Sequence, residues 1–296
     1  MGMLPGGYWD ATGQVHREFE LSALTGREEE MLAQAGRSLA ATLVTEVLSR
    51  CVRRLGGISP VPPEVTRRLL VADRQYLLLQ VRRATFGDSV HADLACPWPD
   101  CGVQVSVDFA VSDVPVEEPP YRAALHTMTL SDEAIASGTD LHGDGEVCFR
   151  LPDGSDQEEL SGLLAINEAG ALTGLLCRCV QRLGPHRPPD QEQCSGLSAL
   201  ARAEIEERMR QVAPRVEQSM AAACVGCGRT FVVPFDIPRF LLGELRTDSQ
   251  LLYQEVHYLA FHYHWSEHEI MGMTRDKRRT YIDVLADSIE VLNSGA

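Results

Sequence analysis

The chain has 296 residues, 44% of them apolar, which suffices for two modest domains or one large one with a filled core. Forty-two acidic and 27 basic side chains leave a formal charge of −15, and a surface of that sign repels phosphate backbones, which argues against nucleic-acid binding through a broad basic face. No apolar run reaches the roughly 18 residues of a membrane span, so no transmembrane helix is expected. The start, Met1 to Tyr8, lacks the basic and apolar blocks of a secretory signal, and Gly6 stands where myristoylation prefers Ser or Thr. These features predict a soluble protein of a reducing cytoplasm. Its nine cysteines then read as metal ligands and buried thiols, not as a disulfide frame.

In chain order, a short strand at Glu18 to Leu21 enters the Thr25-Gly26 turn. The acidic run Arg27 to Glu30 that follows suits the positive end of a helix dipole. The pattern predicts that this helix continues through Arg50, Cys51 and Val52 to a stop at Gly56. A connector with Pro60, Pro62 and Pro63 leads to a second helix whose apolar positions include Leu69, Leu70, Tyr76, Leu77 and Val81. A cysteine turn and a β-rich run, Val103 to Phe109, close this half. Val111 to Tyr121, with three prolines, reads as an extended linker, and Gly138 to Gly145 as an exposed loop.

The same order then returns. A strand at Val147 to Leu151 meets Asp153-Gly154, then the acidic run Ser155 to Glu158, and a helix is expected to reach Gly184. Pro185, Pro188 and Pro189 form the connector, and the second helix, Ala199 to Val212, is polar enough to be expected on the surface. A second cysteine turn and the run Thr230 to Phe235 follow. Gly56 and Gly184, Cys96 and Cys224, and Gly26 and Gly154 are all 128 positions apart. A constant offset at three separate places predicts an internal duplication. Ile237 to Ala296 has no counterpart in this reading and is expected to be a separate helical tail. The expected organisation is a first repeat at 1–112, linker and loop at 113–145, a second repeat at 146–238, and the tail at 239–296. The expected fold class is α+β: two helix-rich halves, each contributing half of a four-cysteine zinc ribbon, plus the tail.

Two thiolates separated by two to four residues in a Gly-closed turn can chelate one tetrahedral ion, and Cys96/Cys101-Gly102 and Cys224/Cys227-Gly228 both fit. Neither pair supplies four ligands. Equivalent placement in two repeats would bring Cys96, Cys101, Cys224 and Cys227 together around one structural Zn²⁺. The alternative is two buried, reduced thiol pairs. Cys51 and Cys179 sit in apolar helical segments and are expected to be core residues.

In the tail, His264-Trp-Ser-Glu-His268 matches the His-x-x-Glu-His pattern of one metallopeptidase class, with His257 and His262 nearby. That chemistry needs both histidines on one helical face. Ser266 and Glu269 instead form a capping box, which starts a helix after His264 and leaves that residue outside it. Trp265 then packs into the helix junction. A further helix from Arg275 to about Leu292 carries the stripe Tyr281, Leu285, Ile289 and Leu292, expected to pack on Leu251, Leu252, Val256 and Leu259, with a partner groove as the other reading. Lys277, Arg278 and Arg279 are expected on a solvated face.

Taken together, Leu4 to Asp10, Glu20 to Glu29, Asp73-Arg74, Cys96 to Gly102, Phe149 to Gly154 and Val256 to Glu267 resemble one family in their order. The chain resembles, from about residue 4 to 290, the baseplate hub assembly proteins of T-even-type phage tails. The resemblance is to the larger zinc-binding form encoded with contractile tails and contractile injection systems. It implies assembly or baseplate structure without catalytic residues, with baseplate or tail hub proteins as partners. His268 is no part of that pattern. Two other readings stand beside it: a zinc metallopeptidase using His264, Glu267 and His268, and a zinc-ribbon adaptor working outside any tail.

Overall fold

The computed structural model describes residues 1–34, 40–136, 145–185, 187–217, 219–234, 237 and 249–294. They form an α+β fold with a helical C-terminal segment. Two compact units interleave along the chain: Met1–Phe19, Arg54–Tyr76 and Val116–Val216 make the first, and Glu20–Arg53, Leu77–Pro115 and Glu217–Ala296 the second.

β1 (Gly2–Trp9) pairs antiparallel with β2 (Val15–Leu21), and β3 (Val52–Leu55) completes a sheet in the order β1-β2-β3. The Gly6-Gly7 turn inside β1 is anchored by the fully buried Asp73 of α4 (Val71–Phe86), whose carboxylate accepts both amides at 2.8 Å. A second sheet, β7 (His126–Thr129), β8 (Glu146–Phe149) and β9 (Val180–Leu183), carries Val147, Phe149, Val180 and Leu183 into the core.

The expectation that the long helices run on to Gly56 and Gly184 is corrected. The chain leaves the helix at Cys51 and Cys179, and Val52–Leu55 and Val180–Leu183 are strands whose first and last residues are buried. Each run offers two apolar residues that point inward when it pairs with a neighbouring strand, and this pairing outweighs local helix propensity. In the second half the helix is also divided. Asp153 caps α6 (Gly154–Leu164) through a capping box with Asp156, and Asn167 caps α7 (Glu168–Cys179) afresh.

Three further expectations have mixed outcomes. α9 (Ala199–Val212) lies at the surface as expected, with Leu200, Ala203, Glu206, Glu207, Arg210 and Gln211 exposed, but its other face is core: Ala201, Ile205 and Val212 are buried with Phe149 and Leu176. The 111–121 linker is partly structured: Val111 is buried, and β6 (Val116–Glu117) pairs with β10 (Arg215–Val216). Residues 138–144 of the expected loop lie outside the described residues, and Gly145 is buried at φ +65°.

His126, 3% exposed, stacks on Phe149 with ring centroids 5.6 Å apart, and neither ring nitrogen has a hydrogen-bond partner among the described residues. Burial, with Arg208 adding to it, holds its pKa below the ordinary histidine value. The unfolded chain therefore takes up this proton near pH ~6.5, before the folded chain does, and stability is lost as pH falls through that value. His126→Phe should flatten the fall of the thermal midpoint between about pH 7 and pH 5. A fall as steep as in the parent chain would refute the assignment.

In the second unit, α1 (Gly26–Gln34) and α2 (Ala40–Cys51) accompany the C-terminal helices α10 (Ser249–Tyr263), α11 (Glu267–Met271) and α12 (Arg275–Ser294). Leu252, Val256, Leu259, Ile270 and Met271 form their core. Trp265 packs at the junction as expected, stacked on Tyr263 at 4.6 Å and edge-on to Tyr281 at 4.8 Å. Arg278 does not lie on a solvated face. It is fully buried, donates to Glu29 of α1 at 2.9 and 3.0 Å and to Glu255 of α10 at 2.9 Å, and caps the Met273 carbonyl.

The elements recur at one spacing. α1 and α6, β3 and β9, α3 (Pro63–Arg67) and α8 (Gln191–Ser195), and α4 and α9 all begin 128 positions apart. The tail, expected to lack a counterpart, has one in spacing: α11 and α12 begin 76 positions after α8 and α9 respectively.

Candidate metal centre

Two hairpins of the second unit present the cysteines. β4 (Ser89–Ala95) and β5 (Gln104–Ala110) pair in register down to Ala95 opposite Gln104, with the first cysteine pair in the turn between them. β11 (Ser219–Ala223) and β12 (Thr230–Pro234) do the same down to Ala223 opposite Thr230. Each turn opens with a pairing from its first cysteine: the Cys96 amide donates to Val103 O at 2.9 Å, and the Cys224 amide to Arg229 O at 3.0 Å. Gly102 (φ +62°) and Gly228 (φ +72°) take the left-handed conformation that folds the chain back under the sulfurs.

All four Sγ atoms lie within 4.8 Å of one another. Cys96 Sγ is 3.9 Å from Cys227 Sγ, and Cys101 Sγ is 3.6 Å from Cys224 Sγ. A disulfide would require about 2.05 Å, whereas four bonds of about 2.3 Å to one tetrahedral ion place the sulfurs about 3.8 Å apart. Two short sulfur contacts thus cross between the turns, as a shared site requires. Hydrogen bonds from the Cys227 and Gly226 amides hold the Cys224 thiol down to about 7, while burial pushes Cys96 up to about 12. A divalent cation at the centre would let all four ionise, and soft thiolates in this arrangement suit zinc or iron. Four sulfur ligands leave no position for substrate.

A polar clasp spans the two turns. Arg229 donates from both terminal nitrogens to Asp100, at 2.8 and 2.7 Å, and lies 5.2 Å from the centre of the Trp98 ring. Sequence reasoning did not identify this clasp, although Asp100 and Arg229 each stand within two residues of one of the four cysteines. Val105, Ala222 and Phe231 supply a small apolar floor.

The His-x-x-Glu-His residues are not gathered. His264 stands between α10 and α11 at φ +57°, Ser266 and Glu269 form the capping box that starts α11, and the His268 ring meets Arg27 at 2.8 Å. Among the described residues, only the four cysteines bring three or more ligand atoms together. Cys51 and Cys179 are buried as expected, and Cys194, in α8, is buried too.

The family model described as T4 bacteriophage base plate protein matches residues 11–242. The chain belongs to that family. The base plate match takes in both cysteine turns and ends before α10, so His264 and His268 lie outside it. No curated protein and no solved structure matches the chain. Membership associates the chain with a phage base plate and with other base plate proteins. Among the described residues no helix is long and apolar enough to cross a membrane.

Proposed function

We propose that this chain is a non-enzymatic baseplate component, or the chaperone that assembles the baseplate hub, of a contractile phage tail-like particle or injection system. The family match over residues 11–242 carries this reading. The sulfur cluster supports a structural role for one Zn²⁺, because a closed four-thiolate site staples chain segments and has no room for catalysis. Four pairs of helix or strand starts lie 128 positions apart and β4 and β11 begin 130 apart, which supports an internally duplicated architecture in which each half gives one cysteine turn to the ribbon. The chain is made in the cytoplasm and acts there or in the particle, through contacts with other baseplate or hub proteins.

Deleting the gene should abolish assembled particles, and quantitative mass spectrometry of purified particles separates the two roles. A stoichiometric amount identifies a resident subunit, and absence identifies a chaperone. Intact, functional particles from the deletion strain would refute both.

A further inference from the structure

Residues 62–86, 190–212 and 266–294 are three versions of one helix pair. In each, a five-residue helix ends at a residue whose amide donates to two carbonyls: Arg68 to Glu64 and Val65, Gly196 to Glu192 and Cys194, Gly272 to His268 and Ile270. Three positions later a long helix begins, and its fourth residue is an arginine: Arg74, Arg202 or Arg278. Two versions dock identically on a helix start. In the first unit the Gly154 amide donates to Leu69 O and Leu70 pairs with Asp153. In the second, the Gly26 amide donates to Met273 O and Thr25 pairs with Thr274.

The first and third versions differ in how they are covered. On α4, Leu77, Leu78 and Val81 are fully buried. Their equivalents on α12, Tyr281, Ile282 and Leu285, are only half-buried. α12 is also longer, 20 residues against 16, and its added length carries more apolar side chains. Val284 is 53% exposed, Val291 72% and Leu292 73%. Tyr281, Val284, Ser288 and Val291 follow one another at helical spacing, with Leu285 and Leu292 alongside. From Tyr281 to Ser294 the charged residues are Asp283, Asp287 and Glu290, with no Lys or Arg. A second copy of this face would set carboxylates against carboxylates, which disfavours self-pairing.

We infer that the outer face of α12 is a docking surface for an amphipathic helix with basic flanks, supplied by another protein. That the supplier is a baseplate protein rests on the function proposed above; the surface itself does not.

The test uses the intact chain with two short designed amphipathic peptides, one of leucine and lysine and one of leucine and glutamate, followed by fluorescence anisotropy. The lysine peptide should bind and the glutamate peptide should not. Val284→Ser with Val291→Ser should weaken binding at least about tenfold by removing apolar contact without changing charge. The same double variant should leave metal content and thermal midpoint unchanged, since both side chains are exposed. Equal binding of the lysine peptide to parent and variant would mean general attraction to an acidic protein and would overturn the inference. A photo-crosslinker at Val291 in assembling particles should join a basic helical segment of a different protein. A cross-link to α12 of a second copy, or none, would overturn it. Should the deletion strain build normal particles, the peptide result still stands or falls alone.

Discussion

Replacing Arg278 with methionine should destabilise the folded chain by about 3–5 kcal/mol, read as a lower urea midpoint with little change in slope. Arg278 has no exposed surface, and Glu29 and Glu255 are themselves about nine-tenths buried. The guanidinium is the group that joins them, donating through Nη2 to Glu29 and through Nε to Glu255. Methionine fills similar space but leaves two carboxylates without their cation, and that penalty exceeds anything gained in apolar packing. Lysine keeps the charge but cannot serve both acids and the Met273 carbonyl with one rigid fork, so it should recover only part of the loss. Changing Glu29 and Glu255 to glutamine in the methionine background should restore part of the stability, because neutral amides cost less to bury unpaired. The neighbouring Arg279 is exposed, and Arg279→Met should stay within about 0.5 kcal/mol of the parent. Equal effects at 278 and 279 would refute the buried network.

That contrast shows where sequence reading stops. Lys277, Arg278 and Arg279 form one basic run, and nothing local distinguishes the middle member. Its burial depends on carboxylates 249 and 23 positions away. The strands at Val52–Leu55 and Val180–Leu183 were hidden for a related reason: each is a four-residue continuation of a helical pattern, and only pairing with β2 or β8 makes it a strand. The cap at Ser266 was legible, because its capping box with Glu269 is complete within four residues. The tail's relation to the helix pairs was not, since Pro62, Asp190 and Ser266 occupy the same position with different chemistry. The cysteines were legible for the opposite reason to Arg278. Thiols in Gly-closed turns keep their meaning whatever surrounds them, and the common offset of Cys96 and Cys224 paired the turns before any coordinates did.

The second large effect concerns those turns. Cys101→Ser should abolish the binding of a single metal ion per chain, measured by elemental analysis after purification with added zinc, and should lower the thermal midpoint. Among the described residues, the contacts between the two hairpins besides the cysteines are a small apolar floor of Val105, Ala222 and Phe231, with Val107 and Val233 against it, and the exposed Asp100–Arg229 clasp. An exposed ion pair contributes at most about 1 kcal/mol. Structural zinc in small domains binds with on the order of 10–16 kcal/mol, so its loss should dominate whatever stability the ribbon has. Arg229→Ala should therefore leave metal content intact and cost little, while Cys101→Ser costs several-fold more. Acidification should act in the same direction as the cysteine change, because protons compete with the ion for each thiolate and affinity falls as pH falls. The stoichiometry separates the two arrangements open to the cysteines. If the turns bound ions separately, Cys101→Ser would spare the intact Cys224/Cys227 turn and a full equivalent of zinc would remain. A shared ion, placed among sulfurs 3.6 to 3.9 Å apart across the turns, has no second home once one of its four ligands is gone.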